Sequence, residues 1–102
     1  MAVLYITEYA AQSRDARGAQ MIVPDEPPAA EQTVAISAGS TQSSALNALT
    51  KFIRVHADTV CSIAISTNPT ATATTRRLAP GVSEYFGVPL AGAFKVAVIT
   101  NT

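Results

Sequence analysis

Residues 51–66, read KFIRVHADTVCSIAIS, constrain the fold more than any other stretch because apolar and polar side chains alternate along them. Alternation with a period of two is typical of a β-strand that buries one face. Ala57, Asp58 and Thr59 read as a turn, so the stretch predicts two strands folded back on each other as a hairpin. His56 falls on the polar face of the first strand. The predicted apolar faces carry Ile53, Val55, Ala57, Cys61, Ile63 and Ile65.

Further stretches rich in β-branched and aromatic residues predict strands at residues 2–9, 32–37, 82–88 and 94–99. Residues 70–77 alternate Thr with Ala and predict a strand near a sheet edge. Residues 45–49 are ambiguous, since their Ala and Leu content also suits one helical turn. Turn signals separate the strands, at residues 68–69, 79–81 and 89–92, and residues 38–44 read as a loop.

Seven or eight short strands at this spacing predict an all-β fold, an antiparallel β-sandwich of the jelly-roll or Greek-key type. The length of 102 residues suits one domain spanning residues 1–102. The predicted core lies between two sheets and contains Ile53, Val55, Cys61, Ile63, Ile65, Phe86, Val96 and Val98.

Residues 10–31 break both periodicities and predict a long loop or arm. Two interpretations stay open: a surface loop pinned at its middle by an apolar patch, or an arm that lies on a neighbouring subunit. Either way, this stretch supplies candidate interaction residues. They are Arg14, Arg17, Met21, Ile22 and Val23.

Composition narrows the class of protein. With 48% hydrophobic and 14% charged residues the chain is predicted to fold, and its low charge indicates surface buried against other subunits. Seven basic and seven acidic residues cancel, which disfavours direct contact with nucleic acid or an anionic membrane. No stretch has the roughly 20 apolar residues of a membrane helix, and the N-terminus lacks the pattern of a signal peptide.

Catalytic and cofactor signals are weak. His56 has no carboxylate cluster at metal-ligand spacing, and the scattered glycines form no phosphate-binding loop, so no cofactor is predicted. His56, Asp58 and Ser62 supply the residue types of a hydrolytic triad, but an open hairpin offers no oxyanion hole. Cys61 is the single cysteine; it has no internal disulfide partner and reads as a small buried hydrophobe. The chain is therefore expected not to be an enzyme.

Two further sets of side chains are candidates for interaction. Arg76 and Arg77, with Arg54 on an adjacent strand, form a basic strip suited to a carboxylate, or are simply solvated. Tyr85 and Phe86 point to opposite faces of their strand, so at least one ring leaves the core. An exposed ring also suits stacking on a sugar, which keeps a receptor- or glycan-binding module as the alternative function.

The second half of the chain resembles small virion proteins encoded in the structural-gene clusters of tailed bacteriophages and prophages. The likeness is carried by the strand at residues 54–58 with Cys61 and Ser62, the turn at residues 68–72, the hairpin of residues 78–81 with 84–88, and the strand at residues 95–99. Residues 10–31 are not covered by it.

The resemblance implies a non-enzymatic structural protein of the virion that decorates or stabilises the capsid, or a neighbouring head–tail or tail component. The implied partners are the phage major capsid protein or other virion proteins, together with further copies of the chain in a homo-oligomer. The implied location is the virion, assembled in the host cytoplasm.

Overall fold

A computed structural model describes residues 2–14, 16–24, 26–88 and 93–101 of the chain. Every regular element in these ranges is a β-strand, which confirms the predicted all-β class, and the described strands number ten rather than seven or eight. None of the described segments is a helix long and apolar enough to cross a bilayer. The strands are β1 Val3–Tyr9, β2 Gln12–Arg14, β3 Gln20–Pro24, β4 Ala30–Ala35, β5 Thr41–Gln42, β6 Phe52–Ala57, β7 Cys61–Ser66, β8 Arg76–Leu78, β9 Ser83–Gly87 and β10 Lys95–Thr100.

These strands form three antiparallel sheets. The front sheet has the order β4-β1-β6-β9 and the back sheet the order β5-β10-β7-β8. β2 and β3 pair only with each other and are called the arm hairpin. In sequence the arm hairpin lies between β1 and β4, which are paired neighbours in the front sheet.

A single core cluster joins the inner faces of the two larger sheets, as a sandwich requires. In β6 the predicted alternation is observed, since Ile53, Val55 and Ala57 are fully buried while their neighbours are half-exposed. Removing this apolar surface from water is the main driving force for folding. The cluster comprises Leu4, Ile6, Val34, Ile36, Leu46, Ile53, Val55, Ala57, Cys61, Ile63, Leu78, Val96 and Val98.

The predicted hairpin within residues 51–66 is wrong. β6 pairs with β1 and β9 in the front sheet, whereas β7 pairs with β10 and β8 in the back sheet. Residues 58–60 cross between the sheets, tied by Asp58 N to Val3 O at 3.2 Å and by Asn101 N to Val60 O at 3.3 Å. Alternation identifies which face of each strand is buried. It does not decide whether two strands pair side by side in one sheet or face each other from the two sheets of a sandwich, because both arrangements bury the same faces.

Residues 10–31 also differ from the predicted long loop, because they contain the arm hairpin and the start of β4. Gly18 makes its turn with φ of +82°, a conformation that favours glycine. Arg14 Nη1 donates to Gly18 O at 2.8 Å and closes this turn. β2 and β3 pair antiparallel, with a shift of register between Gln12 and Arg14, so the predicted arm is a short irregular hairpin.

Two smaller predictions are corrected as well, and the ambiguity at residues 45–49 is resolved. Residues 70–75 form a loop and turn, and only Arg76–Leu78 are a strand; Thr75 N bonds Thr72 O at 3.1 Å in this turn. The predicted loop at residues 38–44 contains β5, and residues 45–49 contain no helical turn. The predicted turn at residues 79–81 is present, with Gly81 at φ of +73°. The turn predicted at residues 89–92 lies outside the described residues.

Candidate interaction surface

The outer face of the front sheet gathers side chains from four strands into rows. The strand registers place Thr7 beside both Glu31 and Arg54, and Tyr85 beside Arg54. Neighbouring strands lie about 4.8 Å apart, so each row is a closely spaced line of side chains. The rows are Glu31–Thr7–Arg54–Tyr85, Thr33–Tyr5–His56–Ser83 and Tyr9–Phe52–Gly87.

A hydrogen-bonded group joins the first two rows. Arg54 Nη2 donates to Ser83 Oγ at 2.9 Å, and His56 Nδ1 lies 3.0 Å from the same oxygen. The Tyr5 ring lies 6.3 Å from the His56 ring and is 44% exposed. Tyr5, Arg54 and His56, with Glu31 and Thr33 from β4, line a polar groove of about 440 Å³. The groove presents a cation, a carboxylate and hydroxyl groups to solvent.

An apolar hollow of about 520 Å³ lies where the arm hairpin meets the front sheet. The Phe52 ring stacks on Tyr9 at 5.3 Å and lies 6.4 Å from Tyr85. This aromatic hollow is mostly apolar and is open at its mouth, where Val23 is 47% and Tyr85 52% exposed. A hollow of this kind suits a large apolar side chain from a partner. Its lining comprises Gln12, Val23, Pro24, Phe52, Tyr85, Phe86 and Gly87.

Tyr9 anchors the loop that follows the arm hairpin. Its ring is buried, and its hydroxyl donates to Glu26 Oε2 at 2.9 Å. Burial, followed by this hydrogen bond to a carboxylate, raises the pKa of Tyr9 to about 12 because both favour the neutral phenol. The base of the arm hairpin is therefore tied to β1 through one protonated side chain.

We expect the stability of the protein to fall between pH 10 and pH 12 through Tyr9. The unfolded chain releases this proton at the ordinary pKa near 10, while the folded chain keeps it until about pH 12. Below pH 10 both states are protonated, so the contribution there is constant. Urea unfolding should show wild type losing about 2 kcal/mol more over this range than Tyr9→Phe. Parallel profiles for the two proteins would contradict the assignment.

The structure brings together two of the predicted interaction residues, Val23 and Tyr85, at the mouth of the aromatic hollow. Arg14 and Arg17 lie farther along the arm hairpin, both exposed. Met21 belongs to β3, as does Ile22, and their side chains lie outside the described part of the structure.

The predicted basic strip does not form. Arg76 and Arg77 are on the back sheet, whereas Arg54 lies on the front sheet. The Arg76 guanidinium lies 4.5 Å from the centre of the Phe86 ring, a cation–π contact across the open side of the sandwich. Arg77 is exposed beside Ser62 in the register of β7 and β8. Arg76 therefore closes the edge of the core.

The three triad residue types are apart. His56 faces Ser83 on the front sheet, while Ser62 lies on the back sheet and accepts a hydrogen bond from Asn101 Nδ2 at 2.6 Å. Asp58 is exposed in the crossing between sheets. Among the described residues, no three His, Cys, Asp or Glu side chains are arranged to hold a metal ion. Cys61 is fully buried as predicted, and burial raises the pKa of its thiol.

Sequence reasoning missed Tyr5, Ser83 and Phe52 as members of this surface. The alternation in β6 does place Phe52 with Arg54 on one face, so the β6 part of this surface can be predicted from the sequence. Joining them to Tyr5 and Ser83 requires the strand order β1-β6-β9, which no local pattern encodes.

Comparisons of the chain with family models, with curated proteins and with solved structures give no match.

Proposed function

We propose that the chain is a non-enzymatic structural protein of a tailed-phage virion, which decorates or stabilises the capsid through protein–protein contacts. The observation that carries this proposal is the aromatic hollow at the base of the arm hairpin. The arm hairpin lies outside both larger sheets, and the molecule measures 47 Å along its longest axis although a six-residue strand spans only about 20 Å.

The contact is proposed to work by insertion of an apolar side chain of the partner. Phe52, Tyr85 and the exposed Val23 offer rigid apolar area, while the half-buried Gln12 in the lining offers an amide for hydrogen bonding. Buried apolar anchors surrounded by polar groups dominate the energy of most protein interfaces. The partner is the major capsid protein or another virion protein, and a head–tail or tail position uses the same contact.

A charge placed in the hollow tests the proposal. Val23→Glu should weaken binding to shells of the parent phage, assembled without this protein, by at least about tenfold because a carboxylate would be buried unpaired. Val82→Glu is the matched control, since Val82 is 45% exposed in the loop before β9 and lies outside the hollow lining. Co-sedimentation with purified shells measures both variants.

Failure of the wild type to sediment with heads or tails of that phage would overturn the virion role. The second candidate, a glycan-binding module, is favoured by the exposure of Tyr5 and Tyr85 on the same sheet face. A glycan-array signal that Tyr85→Ala removes would support it in place of the virion role.

A further inference from the structure

β4 presents unpaired backbone groups at the edge of the front sheet. Ile36 N bonds Ala2 O at 3.1 Å, which fixes the phase of the β1–β4 ladder. Every second residue of β4 therefore bonds to β1, including Gln32 and Val34 opposite Ile6 and Leu4. The N–H and C=O groups of the intervening residues point away from β1. These residues, all exposed, are Glu31, Thr33 and Ala35.

The other edge strands of the two larger sheets carry features that discourage pairing. β5 has two residues, and β8 has three, two of them arginines. β9 holds Glu84 opposite the buried Val55, so a charge points inward at that edge. Short strands and inward charges are known protections of sheet edges. β4 lacks them: it has six residues, an unbroken register with β1, and neither Pro nor Lys nor Arg.

We propose that a second copy of this chain pairs with β4, antiparallel and centred on Thr33. Thr33 then lies opposite Thr33 of the second copy, and Glu31 opposite Ala35. This register uses all the outward groups, giving about six backbone hydrogen bonds. This inference deepens the proposed assembly function and rests on it, because the pairing would serve assembly. The test of the pairing is made on the free protein and needs no phage particle.

Charge and shape both suit a two-fold partner. The two Glu31 side chains face alanines and are four residues apart along the ladder, roughly 13 Å, so like charges do not oppose each other. A Thr–Thr pair at the centre is favourable in cross-strand packing. Because the contact is the same patch on both copies, it closes as a dimer.

Pairing would join two front sheets into one continuous sheet of eight strands. The row Thr33–Tyr5–His56–Ser83 would continue into the same row of the second copy. The two polar grooves, each bounded by Glu31 and Thr33 on β4, would then lie side by side across the two-fold axis. The dimer thus presents a doubled outer surface to a partner.

Thr33→Pro tests the pairing. The Thr33 N–H points outward, so proline there removes a donor to the second copy and none to β1, a position where edge strands tolerate proline. Light scattering on the eluting protein should give twice the monomer mass for wild type. For Thr33→Pro the dissociation constant should rise by at least about tenfold. Tyr85→Pro, at an equally outward N–H on the opposite edge, should remain dimeric.

Thr33→Lys and Tyr85→Lys repeat the comparison without proline, in case either proline variant unfolds. Hydrogen exchange adds a test of register: the amides of Glu31, Thr33 and Ala35 should become protected as concentration rises, while Gln32 and Val34 are protected throughout. A monomeric wild type at high concentration, or a dimer whose three outward amides stay unprotected, would overturn the inference. A monomer that still binds shells would overturn the pairing and leave the proposed function intact. A dimer that binds no shell would support the pairing and overturn the proposed function.

Discussion

Replacing Glu8 by alanine is expected to lower the free energy of unfolding by about 3 kcal/mol, although a polar side chain is lost and an apolar one gained. Glu8 is 2% exposed on the inner side of β1. Its Oε1 accepts from Asn47 N at 2.6 Å and from Thr50 Oγ1 at 2.8 Å. Its Oε2 accepts from Gln32 Nε2 at 3.3 Å.

The cost arises from the partners that alanine would leave behind. Thr50 is 1% exposed, so water cannot readily replace the carboxylate as acceptor for its hydroxyl. The Asn47 amide loses a charge-assisted bond at the same time. Without Glu8, β1 also loses its link to the segment before β6 and to the side chain of β4, so several elements loosen together.

Glu8→Gln is the informative companion variant. The amide keeps an oxygen that can accept from both Asn47 and Thr50, but its nitrogen faces the donor Nε2 of Gln32. Rotating the Gln32 amide would relieve this clash at the expense of its bonds from Ser44 N and to Ser44 O, so we expect a loss of about 1 kcal/mol.

Glu31→Ala serves as the control, because Glu31 is exposed on the neighbouring strand and its loss should stay within about 0.5 kcal/mol. Urea unfolding followed by circular dichroism measures all three variants, with stability read from the midpoint at a common slope. A Glu8→Ala protein as stable as Glu31→Ala would show that the carboxylate contributes nothing net.

The contacts of Glu8 show where sequence reasoning reaches its limit. Alternation along residues 2–9 already places Glu8 on one face with Leu4 and Ile6, which is the face that the structure buries. Alternation does not identify the hydrogen-bond partner of the Glu8 carboxylate, because Thr50 lies 42 residues away along the chain. A buried carboxylate can be suspected from its neighbours, but its acceptor geometry depends on tertiary contacts.

The same distinction explains the incorrect hairpin. Ile53 and Val55 were correctly placed in the core because burial of a strand face is a local signal. The assignment of β6 and β7 to different sheets depends instead on competition among distant strands, with β1 and β9 pairing with β6. The short connection at residues 58–60 permits a crossing as readily as a turn.

The arm hairpin was missed for another reason. Its apolar stretch at Val23 and the preceding residues is brief, and Gly18 was one turn signal among several in a polar stretch. Val23 and Pro24 of the arm hairpin line the aromatic hollow together with Tyr85, which lies more than 60 positions later in the sequence. The sequence thus supplies Val23 and Tyr85 as candidates, whereas their meeting in one hollow depends on the tertiary fold.

The second large effect is expected at Ile53, which is 0% exposed at the centre of β6. Truncation to alanine should lower the free energy of unfolding by about 3–4 kcal/mol, because the lost transfer energy adds to the cost of a cavity that a two-sheet core cannot fully close. Ile53→Val should cost only about 1 kcal/mol. Both values come from urea unfolding.

Leu49→Ala is the matched control, since Leu49 is an aliphatic residue close by in sequence but 69% exposed, and its loss should stay within about 0.5 kcal/mol. Equal effects at the two positions would contradict the burial of the inner face of β6. Ile53 lies between Phe52 and Arg54, whose side chains form the outer surface. Any weakening of the proposed partner binding in Ile53→Ala would therefore reflect a loosened front sheet, and under the same proposal Ile53→Val, which keeps the strand packed, should bind as wild type does.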